Sequence, residues 1–173
     1  MIVWLIGLSG AGKTVIGREL VEILRAEGQS ALFLDGDILR DVWRDLLGHS
    51  LEARRRNHER ISHLCKVLDQ EPRLHIVVAA LSIFPDLQKW NRDNFRRYFE
   101  VFIDVPIDVA IARDSKGIYT KARQGLLRDI VGVDIEFPRP PYPDMTLAPS
   151  MLAESPRALA MRVRKRLGDT RTV

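Results

Sequence analysis

The sequence predicts an α/β fold in which helices cover both faces of a parallel, roughly five-stranded sheet. Short apolar runs alternate along the chain with segments whose apolar residues recur at helical spacing, which is typical of such folds. Two motifs that carry chemistry directly follow predicted strands, at the sheet edge where ligands of parallel sheets bind. The 173 residues, 46% of them hydrophobic, suit a single domain spanning residues 1–173.

The predicted elements follow one another in the order that this fold requires. Apolar runs predict strands at Ile2–Ile6, 31–34, 75–81, 99–105 and Met145–Leu147. Helical spacing predicts helices at 14–27, at 38–47, after Ser50, after Pro106 and after Ser155, the last of which ends at Gly168. Residues 114–143 are rich in charge, glycine and proline, and we expect them to form a mobile lid over the site.

Charge and cysteine content narrow the classes of partner. The net charge is +4, but the basic residues are scattered along the chain, which does not favour a nucleic-acid partner. No stretch approaches the ~20 apolar residues of a membrane span, so no membrane partner is expected. The single cysteine, Cys65, cannot form an intramolecular disulfide and suits a reducing compartment. We therefore expect a cytoplasmic location.

A phosphate-binding loop follows the first predicted strand. Residues 7–14 read Gly-Leu-Ser-Gly-Ala-Gly-Lys-Thr and match G-x-x-x-x-G-K-[ST] in full. Its glycines let backbone N–H groups point at phosphate oxygens, and the helix that follows adds the positive end of its dipole. Lys13 is expected to reach the β- and γ-phosphates of ATP, and the Thr14 hydroxyl to bind Mg²⁺. The residues predicted to bind ATP here are Gly7, Ser9, Gly10, Ala11, Gly12, Lys13 and Thr14.

Two aspartates follow the second predicted strand. Asp35 and Asp37 are two residues apart, and extended residues at this spacing point the same way. Both carboxylates are therefore expected to face the γ-phosphate. One would hold Mg²⁺ through water and the other would orient or deprotonate the acceptor hydroxyl. The sequence does not decide which aspartate does which.

With these motifs assigned, the chain resembles the adenylylsulfate kinase family over nearly its whole length. That family consists of P-loop kinases with three α/β/α layers. Its Leu-Asp-Gly-Asp-x-x-Arg motif is matched at 34–40, and its Arg-x-x-Asn pair by Arg54 and Asn57. Its Arg-Asp-x-Lys-Gly-x-Tyr-x-Lys-Ala-Arg-x-Gly run is matched at 113–125, and its Gly-[Ile/Val]-Asp at 132–134.

The resemblance implies transfer of a phosphoryl group from MgATP to the 3′-hydroxyl of adenylylsulfate, a small nucleotide acceptor. It implies that Asp37 serves the acceptor and that Arg40, Arg54 and Asn57 contact its phosphosulfate end. It also implies that Lys116 lies over the reacting phosphates, that Arg113 lies nearer ATP, and that the protein forms a homodimer. Ser82 matches a serine that some members phosphorylate. The candidate catalytic residues are Lys13, Asp35, Asp37 and Lys116, and the candidate magnesium residues are Thr14 and, through water, Asp35.

The chain departs from the family pattern on the acceptor side. His49 stands where the family usually has an aromatic ring that stacks on the acceptor base, while Phe137 matches its second stacking ring. The family's Ile-Ser-Pro-[Tyr/Phe]-Arg is replaced by Leu-Ser-Ile-Phe-Pro at 81–85, which leaves Phe84 without the following arginine. This pattern is similar to kinases of cytidine diphosphoramidate in capsule biosynthesis, so that nucleotide is the alternative acceptor.

Two further readings remain. Small P-loop kinases for shikimate, gluconate or nucleoside monophosphates share the loop and an aspartate after a strand, but they lack the Lys-Gly-Ile-Tyr run at 116–119. A nucleotide-binding regulatory protein with slow turnover would keep Lys13 and Thr14 but would not need Asp37, Arg40 and Lys116 together.

Overall fold

The predicted α/β fold is confirmed by a computed structural model, which describes residues 1–43, 50–114 and 117–169, and only the backbone of Asp169. Five parallel strands form one sheet in the order β2-β3-β1-β4-β5. They are β1 (Ile2–Ile6), β2 (Ser30–Asp35), β3 (Leu74–Ala80), β4 (Tyr98–Ile103) and β5 (Met145–Leu147). All five coincide with apolar runs predicted to be strands, to within two residues at each end.

Seven α-helices lie among the described residues. They are α1 (Lys13–Ala26), α2 (Gly36–Val42), α3 (Leu51–Leu68), α4 (Pro85–Asn94), α5 (Ile107–Ala112), α6 (Ile118–Arg123) and α7 (Pro156–Asp169). A 3₁₀ turn at Pro149–Met151 precedes the last of them. Within the described ranges, none of these helices has the length and apolar character needed to cross a membrane.

Local chemistry explains where several helices begin. The Ser50 hydroxyl accepts a hydrogen bond from the backbone N–H of Ala53 at 3.2 Å, which confirms the predicted N-cap of α3. Pro85 stands in the first turn of α4, where a missing N–H costs nothing, yet this helix was not predicted. The prediction that α7 stops at Gly168 is wrong, because the helix continues to Asp169.

The core lies on both faces of the sheet, which gives the three α/β/α layers. All five side chains of the central strand β1 are fully buried. Side chains such as Val3 and Leu5 pack on one face with α1 and α7, while Trp4 packs on the other face with α3 and α4. Because the strands are parallel, the loops after β1, β2 and β3 meet at one edge of the sheet.

The segment predicted to be a mobile lid contains regular structure. Helix α6 lies within it, and Tyr119, Ile130 and Val131 are buried against the main core cluster. A short bridge joins Val131 to Ile135. The mobility of residues 114–143 stays a prediction.

Candidate active site

The loop at residues 7–14 joins β1 to α1 in a backbone shape that glycine permits. Gly10 and Gly12 have φ values of 77° and 94°, which side chains disfavour. A Cβ atom at Gly10 would also lie 2.8 Å from the carbonyl oxygen of Ala110, so the loop passes too close to α5 for any larger residue. The first turn of α1 carries no acidic residue, which leaves the positive end of the helix open to a phosphate.

The Lys13 side chain folds back across this loop. Its ammonium group donates hydrogen bonds to the carbonyl oxygens of Gly7 and Leu8, each at 2.8 Å. From the lid segment, the Tyr119 hydroxyl donates to the carbonyl oxygen of Ser9 at 3.1 Å. The Lys13 ammonium from α1 and the Tyr119 hydroxyl from α6 thus both hydrogen-bond to the backbone of the loop.

Asp35 ends β2 and joins it to the phosphate loop. Its Oδ2 accepts a hydrogen bond from the Thr14 hydroxyl at 2.8 Å. Its Oδ1 caps α2 by accepting from the backbone N–H groups of Asp37 at 2.9 Å and Ile38 at 3.5 Å. Hydrogen bonds to both oxygens therefore fix the orientation of this buried carboxylate.

Asp35 and Asp37 were both expected to have extended backbone, and for Asp37 this prediction is wrong. Helix α2 begins at Gly36, so Asp37 lies in its first turn and only Asp35 has extended backbone angles. The cause is the capping chemistry of Asp35 itself, which favours a helix start at this position. Asp37 is exposed and lines the cavity together with Asp35.

The pair formed by Thr14 and Asp35 suits Mg²⁺. A hydroxyl and a carboxylate oxygen lie 2.8 Å apart next to the phosphate loop, and both are hard oxygen donors. Magnesium is usually held by one or two carboxylates together with water and substrate phosphates. Over the described ranges, no group of three or more His, Cys, Asp or Glu residues has metal-binding geometry, so a closed metal cage is not formed there.

Two arginines and an asparagine lie beyond Asp37, away from the phosphate loop. Burial, and next the nearby charge of Arg40, lowers the pKa of Arg54 to about 10, while Asp37 acts in the opposite direction. Arg54 stays charged at neutral pH and donates to the carbonyl oxygen of Asp129 in the lid segment at 2.9 Å. Asn57 donates to the carbonyl oxygen of Gly36 at 3.1 Å. Arg40 and Arg54 are close enough to interact electrostatically, and an anion bound beside both guanidinium groups would relieve their repulsion.

The loop after β3 completes the site. Ser82 is buried, and its φ of 49° lies in the left-handed region. The Gln88 amide donates a hydrogen bond to the Ser82 carbonyl oxygen at 2.9 Å. The Arg55 guanidinium lies 4.7 Å from the centre of the Phe84 ring, within the range of a favourable cation–π interaction. Asp86 holds that guanidinium through two hydrogen bonds of 2.8 and 3.0 Å.

A cavity of about 860 Å³ connects these parts. It is lined by the phosphate loop and by Arg113, whose guanidinium donates to the carbonyl oxygen of Leu152 at 3.4 Å. Its lining also includes Arg40, Arg54, Asn57, Ser82 and Phe84. The structure therefore brings most of the predicted site residues to one continuous cavity.

Among the described residues predicted for the site, Gly7 and Phe137 do not line this cavity. His49 and Lys116 lie outside the described residues. Phe137 stacks on Phe102 of β4, with ring centres 6.0 Å apart and planes 22° apart, and it does not line the cavity. The ring is half-buried, and its stacking on an acceptor base stays a prediction.

Sequence reasoning missed the part played by His58 and Tyr119. His58 lines the cavity and contacts Ser82, and Tyr119 contacts the phosphate loop. The spacing of His58, Ile61 and Cys65 along α3 matches one helix face, which would have predicted that the histidine is buried. The Tyr119 contact joins residues 110 positions apart, so no local pattern could reveal it.

Comparison with known proteins agrees with this geometry. A model of the adenylylsulphate kinase family matches residues 1–148. A cytidine diphosphoramidate kinase of Campylobacter jejuni is 36% identical over 142 residues, which cover 80% of this chain and 81% of that protein. An adenylyl-sulfate kinase of Pseudomonas aeruginosa is 35% identical over 164 residues, which cover 94% of this chain and 82% of that protein.

Similarity to a solved structure extends over almost the whole chain. The Mycobacterium tuberculosis APS kinase CysC, in complex with AMPPNP and APS, superposes with a TM-score of 0.88 at 34% sequence identity. The match covers 96% of this chain and 96% of that one. The chain therefore belongs to the adenylylsulphate kinase family, whose members are phosphotransferases.

Proposed function

We propose that this protein transfers the γ-phosphoryl group of ATP to the 3′-hydroxyl of adenylylsulfate. The observation that carries the proposal is the single cavity lined both by the phosphate loop and by Arg40, Arg54 and Asn57. Such an arrangement suits two anionic nucleotides whose reacting groups meet in the middle. A cytoplasmic location, where ATP is available, and assembly as a homodimer are part of the proposal.

The geometry supports different roles for the two aspartates. Asp35 is held by Thr14 and by its own capping bonds, so it serves Mg²⁺ together with Thr14. When bound, the ion neutralises charge on the β- and γ-phosphates. Asp37 is exposed to the cavity and interacts electrostatically with Arg54. It accepts a hydrogen bond from the acceptor hydroxyl and orients that hydroxyl towards the γ-phosphate.

Cations neutralise the remaining charge. Lys13 exchanges the carbonyl oxygens of the loop for phosphate oxygens, which offer its ammonium a stronger, charged partner. Arg113, at the end of α5, and Lys116 contribute further positive charge. Arg40 and Arg54 bind the sulfated phosphate end of the acceptor, and Asn57 positions α2 through the Gly36 carbonyl.

Cytidine diphosphoramidate is the second candidate acceptor. One observation favours it: Phe84 lacks the following arginine of the family pattern and is instead covered by Arg55 from α3. Because Phe84 and Ile83 both line the cavity, this replacement alters the acceptor side of the site. The relative named for that acceptor is as similar to this chain as the adenylyl-sulfate kinases are.

An acceptor panel tests the proposal. ADP formation is measured at fixed MgATP with adenylylsulfate, with cytidine diphosphoramidate and with no acceptor, and the product is located by mass spectrometry. We expect ADP only when an acceptor is present, with the new phosphate on the 3′-oxygen. A Lys13→Ala variant is the control for contaminating kinases and should lose at least about 10²-fold in kcat. ADP formation without acceptor would indicate a nucleotide-binding regulatory protein instead.

A further inference from the structure

A series of polar side chains runs from the interior of the molecule to the acceptor side of the cavity. Its members are Glu100, Tyr98, Asn91, His58 and Ser82. The Tyr98 hydroxyl donates to Glu100 Oε2 at 2.8 Å, and Tyr98 also hydrogen-bonds to Asn91. Asn91 Nδ2 lies 3.4 Å from His58 Nε2, and His58 Nδ1 lies 3.4 Å from Ser82 Oγ. Burying this many polar groups is costly unless they satisfy one another.

The environment of His58 fixes both the orientation and the charge of its ring. The imidazole stacks on Trp4 with ring centres 5.0 Å apart and planes 25° apart. Its side chain is only 4% exposed. Burial lowers the pKa of His58 to about 3, so the ring is neutral at neutral pH and carries one N–H group.

The orientation of the Asn91 amide assigns that single proton to Nδ1. Tyr98 gives its own proton to Glu100, and its oxygen accepts from the Asn91 amide. With its nitrogen facing His58 Nε2 and its oxygen without a partner, this amide donates and Nε2 accepts. Nδ1 therefore carries the proton and donates it to Ser82 Oγ. The proton of the Ser82 hydroxyl is then directed away from the imidazole.

Ser82 is also held at its backbone. Its φ of 49° is unusual for a residue other than glycine, and the Gln88 amide fixes its carbonyl oxygen at 2.9 Å. Non-glycine residues keep this conformation only where the surrounding structure enforces it. Ser82 also lines the cavity, so its hydroxyl lies beside the space that a bound molecule would occupy.

We propose that His58 is a positioning residue that turns the Ser82 hydroxyl proton into the cavity, where Ser82 donates a hydrogen bond to an oxygen of the phosphoryl acceptor. The inference rests on the proposed function, since the acceptor is the second substrate of that transfer. No bond is made to Ser82 itself. In this proposal His58 acts through the serine.

Kinetics of four variants test this role. His58→Leu and Ser82→Ala should each lower kcat/KM for the acceptor about 3- to 10-fold, as expected for one lost hydrogen bond, and leave the KM for ATP unchanged. The double variant should be no worse than either single variant, because both remove the same interaction. His58→Asn should retain most of the activity, since its amide nitrogen takes the place of Nδ1.

A second measurement is independent of turnover. The ¹⁵N chemical shifts of the His58 ring in the wild-type protein report which nitrogen carries the proton, and we expect Nδ1. A proton on Nε2, additive losses in the double variant, or a raised KM for ATP in His58→Leu would each overturn the proposal. If neither acceptor is phosphorylated, the proposed function fails, while a proton on Nδ1 still supports the orientation of Ser82. The two failures are thus distinguishable.

Discussion

The Thr14 hydroxyl donates a hydrogen bond to Asp35 Oδ2 at 2.8 Å, which joins the phosphate loop after β1 to the end of β2. The two residues are 21 positions apart in the chain. Thr14 lies in α1 after β1, Asp35 ends β2, and β3 lies between these two strands in the sheet. This contact places the Thr14 hydroxyl oxygen and Asp35 Oδ2 side by side, next to the phosphate loop. It is the reason to assign magnesium to Asp35 and the acceptor to Asp37.

Asp35→Asn should weaken the use of magnesium. Asparagine is as good an N-cap as aspartate, so α2 should keep its start and the fold should survive. The loss of negative charge should raise the Mg²⁺ concentration for half-maximal rate about 10- to 100-fold. Titration of activity with MgCl₂ at saturating ATP checks this, with Thr14→Ser as the control that keeps the hydroxyl. An unchanged magnesium requirement would contradict the assignment.

Asp37→Asn should separate binding from chemistry. An amide accepts a hydrogen bond from the hydroxyl less strongly and cannot take its proton, so kcat should fall about 10²-fold or more. Affinity for MgATP should stay near that of the wild type, because Asp37 lies on the acceptor side of the cavity. Steady-state kinetics and ATP-binding calorimetry measure the two quantities. Asp93→Asn, an exposed aspartate paired with Lys89 on α4, is the charge-matched control. Normal kcat with raised KM would remove Asp37 from the reaction.

Arg54→Ala should raise the KM for whichever acceptor is used. Its guanidinium is held close to Arg40 and stays charged despite burial, so its loss removes a charge-assisted contact worth about 10-fold or more in affinity. Arg56 supplies the control, because it lies on the same helix, is exposed and pairs with Glu52. If Arg54→Ala and Arg56→Ala raise the KM for the acceptor equally, Arg54 contributes only through the net charge of the protein and not through a direct contact.

Residues 117–143 should become better protected when both substrates bind. Two contacts already tie this segment to the site, from Tyr119 to the Ser9 carbonyl and from Arg54 to the Asp129 carbonyl. Hydrogen exchange followed by mass spectrometry, with and without an unreactive ATP analogue and acceptor, measures the change. Amides of β1, buried at the centre of the sheet, are the internal control. Equally slow exchange in both states would mean that the segment does not act as a lid.

His58 should make folding stability depend on pH. Burial lowers its pKa to about 3 from 6.5, so only the unfolded chain takes up its proton as the pH falls below 6.5. Its contribution is fully present above that value and is lost towards pH 3, by about 1.4 kcal/mol per unit well below 6.5. Urea unfolding of wild type and His58→Asn at pH 7.5 and 5.5 measures it. A stability difference between the two proteins that does not shrink at pH 5.5 would contradict the buried, neutral state.

The strands and the phosphate loop were predictable because their signals are local. A buried strand of a parallel sheet reads as a continuous apolar run, and the loop needs glycines and a lysine at fixed spacing. Helix α4 escaped prediction because its polar sequence, Pro-Asp-Leu-Gln-Lys-Trp-Asn-Arg-Asp-Asn, carries few apolar residues at helical spacing. Its buried side chains are Gln88 and Asn91, which are polar and reveal their burial only in three dimensions.

Two features of the site could not be predicted from sequence spacing. Asp35 and Asp37 were expected to share extended backbone, but the Asp35 carboxylate caps a helix that begins one residue later. Phe137 matched a motif position, but the motif did not reveal that its ring packs on Phe102, which is distant in sequence. The first feature is local capping chemistry and the second is tertiary packing, and neither follows from the motif itself.

The continuity of the cavity has a consequence for inhibition. Because one open space of about 860 Å³ is lined by both the phosphate loop and Ser82, we expect a single molecule that joins two nucleosides through a chain of phosphates to occupy both substrate sites. Binding of its first half raises the effective concentration of the second to roughly the millimolar range for a short linker. Such a bisubstrate compound would gain affinity without any new contact. Comparing the inhibitory potency of compounds that differ in the acceptor-side nucleoside would also show which base the acceptor site prefers.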